Sequence, residues 1–222
     1  MTGEAPGLRN RGWRNWLYLI LPMVLIFVVA AFLPPGWWSP VDENDVAAKN
    51  RAADFEQKVT AAIHEIRNEP DPWGFRFTEQ QANEWLATRL PAWIEHDQSL
   101  DWPAGIRRVQ VHLEGRSEVE IAAYSGAGLI WRARFEPIID ESSCRFRPTS
   151  AGVGRLPIPG LGVEGLVALI PDGVLEEDGT IAVPREFELV DGRGVRLLGL
   201  ELAKQEIGVV FETRKVAKNA QD

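Results

Sequence analysis

The stretch IRRVQVHLEGRSEVEIAAYSGAGLIWRARFEP, residues 106–137, decides how the rest of the chain is read. Val109, Val111 and Leu113 alternate with Arg108, Gln110 and His112. Val119, Ile121 and Ala123 alternate with Glu118 and Glu120, and Leu129, Trp131, Ala133 and Phe135 alternate with Arg132 and Arg134. A period of two places one set on a packed face and the other on a wet face, which is the mark of half-buried strands. EGRS (114–117) and SGAG (125–128) supply turn residues, so neighbouring strands form antiparallel hairpins. Cys144 and Phe146 continue the alternation against Arg145 and Arg147. Further on, Ile181 to Glu188, Gly194 to Leu202 and Ile207 to Thr213 read as three more strands, separated by DGRG and AKQE.

N-terminal to these strands the period lengthens. Val46, Ala52, Phe55, Val59, Ala62, Ile63 and Ile66 recur at three- and four-residue steps with charges between them, an amphipathic helix that serves as a stalk or as a brace on the sheet. NEPDPWG ends it, since two prolines and a glycine forbid continuation. In FTEQQANEWLATRLP, Thr78 and Gln81 have the spacing of a capping box, Ala82, Trp85, Leu86 and Leu90 mark one face, and Pro91 is the expected stop. Asn83 reads as a solvated helix residue. The expected fold is α+β: an N-terminal transmembrane helix, then a meandering antiparallel β-sheet packed against two or three helices.

The membrane expectation comes from WLYLILPMVLIFVVAAFL, residues 16–33, eighteen residues without a charge. At 1.5 Å per residue such a helix nearly matches a hydrocarbon core of roughly 30 Å. Trp13, Trp16, Trp37 and Trp38 bracket the run as interfacial anchors. Arg9, Arg11 and Arg14 precede it and Asp42, Glu43 and Asp45 follow, so the positive-inside bias puts residues 1–15 in the cytoplasm and everything beyond the membrane outside it. A cleaved signal peptide is the competing reading, but the run is longer than the 7–15 residues of a signal core. The expected organisation is therefore a cytoplasmic 1–15, a transmembrane 16–33, an amphipathic helix or stalk 34–71, an extracytoplasmic α+β domain 72–214 and a tail 215–222.

Composition bounds the partners. With 24 basic and 32 acidic side chains the formal charge is −8, which lacks the basic footprint of a nucleic-acid binder. A single cysteine, Cys144, forms no intramolecular disulfide, and no second cysteine stands near it to suggest a metal site. Gly160, Gly162 and Gly165 satisfy G-x-G-x-x-G, but Pro157 and Pro159 precede them where a dinucleotide loop needs a parallel strand. His64 and Glu65 begin H-E-x-x-H, yet position 68 is Asn. His96 and His112 read as surface histidines. DEND (42–45) and EEDG (176–179) read as a helix start and a turn, and neither a G-x-S-x-G elbow nor a GK[ST] loop occurs. No cofactor, metal or catalytic residue is assigned. A hydrolase would require two carboxylates that converge only in space.

What remains is GRLPIPGLGVEGLVALIPDG, 154–173. Leu161, Val163, Leu166, Val167, Leu169 and Ile170 cover more than one helical stripe, so the segment is either a plain core helix or a surface that meets something apolar. With Trp85, Trp131 and Phe135 it is the candidate lining of an apolar groove.

The order of parts resembles the bacterial membrane-anchored proteins of the YpmS type: anchor, amphipathic segment, the FTEQQANEWL helix, a β-rich body, then GRLPIP leading into an apolar helix. More distantly it is similar to the LmeA-like envelope proteins, with their likeness to tubular lipid-binding folds. Thr78, Asn83, Leu156, Pro157 and Pro159 carry the resemblance. It implies a non-catalytic domain with an apolar groove for a lipid or lipid-linked envelope molecule. An accessory subunit docking on a larger membrane complex is the alternative.

Overall fold

A computed structural model describes residues 11–65, 67, 71–96, 105–115, 117–140, 142–158, 176, 179–189 and 191–215. The six groove candidates from Leu161 to Ile170 lie outside the described residues. The chain is α+β, with antiparallel sheets and four helices among the described residues. Helix α1 spans Arg11–Phe32 and α2 spans Val46–His64. Strand β1 (Asp71–Thr78) runs straight into α3 (Glu79–Thr88), followed by the short α4 (Leu90–His96).

The alternating run folds as the sequence predicts, into β2 (Ile106–His112), β3 (Val119–Ser125), β4 (Ile130–Ile139) and β5 (Ser143–Val153), consecutive neighbours in one antiparallel sheet. The two-residue β6 (Leu156–Pro157) and β7 (Ile181–Pro184) both pair with β5 and complete six strands. A single meandering sheet is expected from the sequence, and here the structure differs. β8 (Glu186–Glu188), β9 (Arg193–Ala203) and β10 (Glu206–Lys215) leave the first sheet and form a second one, ordered β1-β10-β9-β8.

Two corners join the sheets. In the AKQE turn Gln205 adopts φ 61°, donates its amide to the Leu113 carbonyl and accepts from the Glu79 amide. Leu113, 1% exposed, is thereby pinned where both sheets and α3 meet. At the other corner the expected strand 181–188 breaks at Arg185. Its first half pairs with β5 and its second with β9, while the Arg185 side chain donates to the carbonyls of Asp140 and Leu197. A strand that changes sheets at a bend is a known way to make such a corner.

The helices follow their local signals with one difference. The capping box forms: Gln81 N donates to Thr78 Oγ1 at 3.2 Å and Thr78 N to Gln81 Oε1 at 2.9 Å. Pro91, expected as a stop, instead lies in the first turn of α4, where no intrahelical donor is needed. Helix α2 lies along α3. Arg51 meets Glu84 at 2.6 Å, Glu56 meets Arg89 at 2.7 Å, and Phe55 meets Phe77 of β1 with ring centroids 5.5 Å apart.

Candidate functional site

The most unusual surface is that of α1. From Ile20 to Leu33 its large apolar side chains are exposed, Leu21 and Ile26 on opposite faces among them. A soluble domain does not normally leave an apolar helix uncovered all round. Among the described residues no helix is long and apolar enough to cross a membrane; the side chains of α1 are described only from Ile20 onward, which leaves Trp13 and Trp16 without a described environment.

The end of α1 is held by the sheet. Gly154 and Arg155, the turn between β5 and β6, face its last carbonyls. Arg155 N donates to Ala30 O at 2.9 Å and Arg155 Nε to Pro34 O at 2.9 Å. Gly154 has φ +55°, and a Cβ there would lie 2.6 Å from Leu33 O and 2.7 Å from Ala30 O, with Ala31 O also in contact. Only glycine allows the turn to come this close. Helix ends leave carbonyls without intrahelical partners, and here a distant part of the chain supplies donors to them.

Behind the turn stands a charge network. Gly154 donates its amide to Ile130 O and accepts from Arg132 Nε at 2.9 Å. Arg132 also reaches Glu120 at 3.0 Å, Arg134 reaches the same carboxylate at 2.9 Å, and Arg134 extends to Glu114 at 3.1 Å. The Glu120 side chain is 2% exposed, and two guanidiniums compensate its charge.

The strap that follows α1, residues 34–45, is fixed to the same sheet. Gln110 Nε2 donates to Ser39 O at 2.7 Å, and Trp37 stacks on His112 with centroids 4.8 Å apart. His112 is therefore not a surface histidine. Its Nδ1 lies 3.1 Å from Glu79, and the ring is covered by Trp37. Trp38 packs beside Trp37 at 6.1 Å. Between the strap, α2 and α3 lies a cleft of about 540 Å³ lined by Asp42, Asp45, Arg51, Glu79 and Glu84 among others. Its charged groups already serve the fold: Glu84 takes Arg51 and Gln80, and Glu79 takes His112 and the Leu113 amide.

A second apolar surface lies on the four-stranded sheet. Ring contacts run from Phe55 to Phe77, Phe77 to Phe75, Phe75 to Phe211, and from Phe211 to both Trp73 and Phe187. Trp73 is buried, its Nε1 donating to Thr213, and Arg67 lies over its ring; Phe187, the other neighbour of Phe211, is 42% exposed. This aromatic face was not among the sequence candidates, although the alternation in FRF (75–77) is a signal for it.

The groove candidates fall in different places. Trp131 and Phe135 share one face of β4, with Phe135 buried in the sheet's core and Trp131 half-buried. Trp85 lies on α3, where it donates to Glu56 and meets Trp93 edge-on at 6.3 Å. Asn83, expected to be solvated, is buried, and its side chain bonds both backbone groups of Val111. Cys144 is buried, and burial pushes its thiol up, which disfavours the thiolate. Among the described residues no group of His, Cys, Asp and Glu could hold a metal ion. No family model matches the sequence, and neither a curated protein nor a solved structure matches the chain.

Proposed function

We propose that the chain is a single-pass membrane protein whose α+β domain stands outside the cytoplasm and binds a hydrophobic envelope ligand without catalysis. The observation that carries the reading is the exposed apolar surface of α1 from Ile20 to Leu33, joined to the folded domain through Arg155. An uncharged run of this kind gains by leaving water for hydrocarbon, at roughly 25 cal/mol per Å². The eighteen uncharged residues of 16–33, with arginines before them and acids after them, support the orientation.

The ligand reading rests on the aromatic face. Six contacting rings, running from Phe55 to Phe211 and forking there to buried Trp73 and exposed Phe187, offer an apolar surface open at Phe187, the kind of lining that suits an acyl chain. The resemblance to YpmS-type and LmeA-like proteins points to the same class of ligand.

Native-nanodisc isolation of the full chain, followed by extraction and mass analysis of bound lipid, tests the reading beside the variant Phe187→Asp. A stoichiometric hydrophobic molecule in the parent and its loss in the variant are expected. Empty protein in both, with the fold intact, refutes ligand binding. A stoichiometric membrane protein in place of lipid would make the chain an assembly subunit. A reporter fused after Asp222 should be active only outside the cytoplasm.

A further inference from the structure

The turn that holds the anchor is also placed to touch lipid. Gly154 lies so near the carbonyls of Ala30, Ala31 and Leu33 that a Cβ on it would overlap them, and Arg155 donates its amide to Ala30. Ala30 precedes Leu33, the end of the apolar run, by three residues, about 4.5 Å along a helix axis. Arg155 N takes the place of the amide that Pro34 lacks, so the turn stands at the very end of the apolar run, level with Leu33 and Pro34. With α1 in the hydrocarbon, residues 154–155 are carried to the boundary between acyl chains and headgroups.

The composition of the turn suits that depth. From Gly152 to Ile158 the chain reads GVGRLPI, and Arg155 is its one charge. Arg155 is exposed, as is Pro157, while Leu156 and Ile158 are half-buried. An arginine whose stem lies along apolar surface with its head toward water is the usual interfacial arrangement, and its planar fork matches a phosphate. Trp37 and Trp38, a few residues past the same helix end, add the amphipathic rings that favour this layer.

We propose that the β5–β6 turn together with β6, Gly154 to Ile158, is a second membrane contact beside the anchor, with Arg155 paired to lipid phosphate. The inference rests on the reading of α1 as a membrane span. It makes the domain sit on the bilayer in one orientation, with the edge of the six-stranded sheet down, where a flexible stalk would let it swing.

The test uses the full chain in phosphatidylcholine–phosphatidylglycerol vesicles, with fluorophores on single introduced cysteines at Ile26→Cys or Pro157→Cys. The native Cys144 is buried and stays unlabelled in the folded protein. Nitroxide lipids labelled near the headgroup should quench the probe at 157 more strongly than an aqueous quencher does, and nitroxides deep in the chains should quench the probe at 26. Quenching at 26 by deep lipid, with a probe at 157 that answers only to the aqueous quencher, overturns this proposal and leaves the anchor standing. A probe at 26 open to water removes the anchor itself, and this contact with it. Adding Arg155→Glu to the 157 probe should abolish its lipid quenching while Arg155→Lys retains it; equal quenching in both removes the phosphate pairing.

Discussion

Asn83 closes the edge of the six-stranded sheet by acting as the missing strand opposite Val111. Its Nδ2 donates to Val111 O at 2.9 Å and its Oδ1 accepts from Val111 N at 2.8 Å. One helical turn earlier Glu79 accepts the next outward amide, that of Leu113, at 2.8 Å. Strand β2 is the end of its sheet, and an unpaired edge is a template for unwanted pairing. Helix α3 removes the template with two side chains.

Replacing Asn83 by Leu should leave both Val111 groups without partners in a half-buried place. Each such loss costs about 1–3 kcal/mol. Urea unfolding of the full chain in detergent should show a midpoint lowered accordingly, with a rise in oligomers by light scattering. Asn83→Asp keeps the acceptor but sets a carboxylate against the Val111 carbonyl, and should be no better.

Gly154→Ala should loosen the junction with the end of α1. Alanine at φ +55° carries an intrinsic penalty of roughly 1–2 kcal/mol, and its methyl overlaps three carbonyl oxygens of α1. Limited proteolysis in nanodiscs should cut residues 34–45 faster in the variant than in the parent. An unchanged cleavage rate means that the helix end is not held by this turn.

Glu120→Ala leaves Arg132 with no carboxylate and Arg134 with Glu114 alone. Removing one partner of a buried charge cluster costs about 3–5 kcal/mol, so this variant should be among the least stable single substitutions in the domain. Thermal unfolding followed by tryptophan fluorescence checks it. The double variant Glu120→Leu with Arg132→Met should recover part of the loss, because the charge to be compensated is then smaller.

Asp140 gives the fold a defined acid limit. The amides of Ser143 and Ser142, and then Arg145, hold its carboxyl well below the usual range. A depressed folded-state value means that its stabilisation is complete above the ordinary carboxylate pKa of about 3.9 and is lost as pH falls through the folded value. The β4–β5 hairpin should therefore resist acid to well below that point. Asp140→Asn, which keeps the acceptor for the amides but not the charge for Arg145, should have lost the ionic part at every pH. Hydrogen exchange of the hairpin amides across an acid titration separates the two.

Much of this architecture was legible along the chain. The hairpins β2 to β5 and β9–β10 follow from period-two alternation and turn residues, because partner strands are adjacent and the pleat alone assigns their faces. The capping box at Thr78 was equally local. His112 and Asn83 were misread for one reason: each is polar in a pattern that permits exposure, and each is covered by a segment remote in sequence, Trp37 over one and β2 beside the other.

The sequence by itself determined the uncharged run before Leu33, the antiparallel strands and their wet and dry faces, since these depend on neighbours a few residues apart. Only tertiary structure decided that β1 pairs with β10, that residues 181–188 divide between two sheets at Arg185, and that Gly154 meets the end of α1. The first and last of these join residues more than a hundred positions apart, and the second sets a partner about forty residues back, Ser143 against Pro184, beside one about ten ahead, Glu186 against Arg196; periodicity carries no information on such choices, and the outcome depends on which surfaces fit once the local pieces exist.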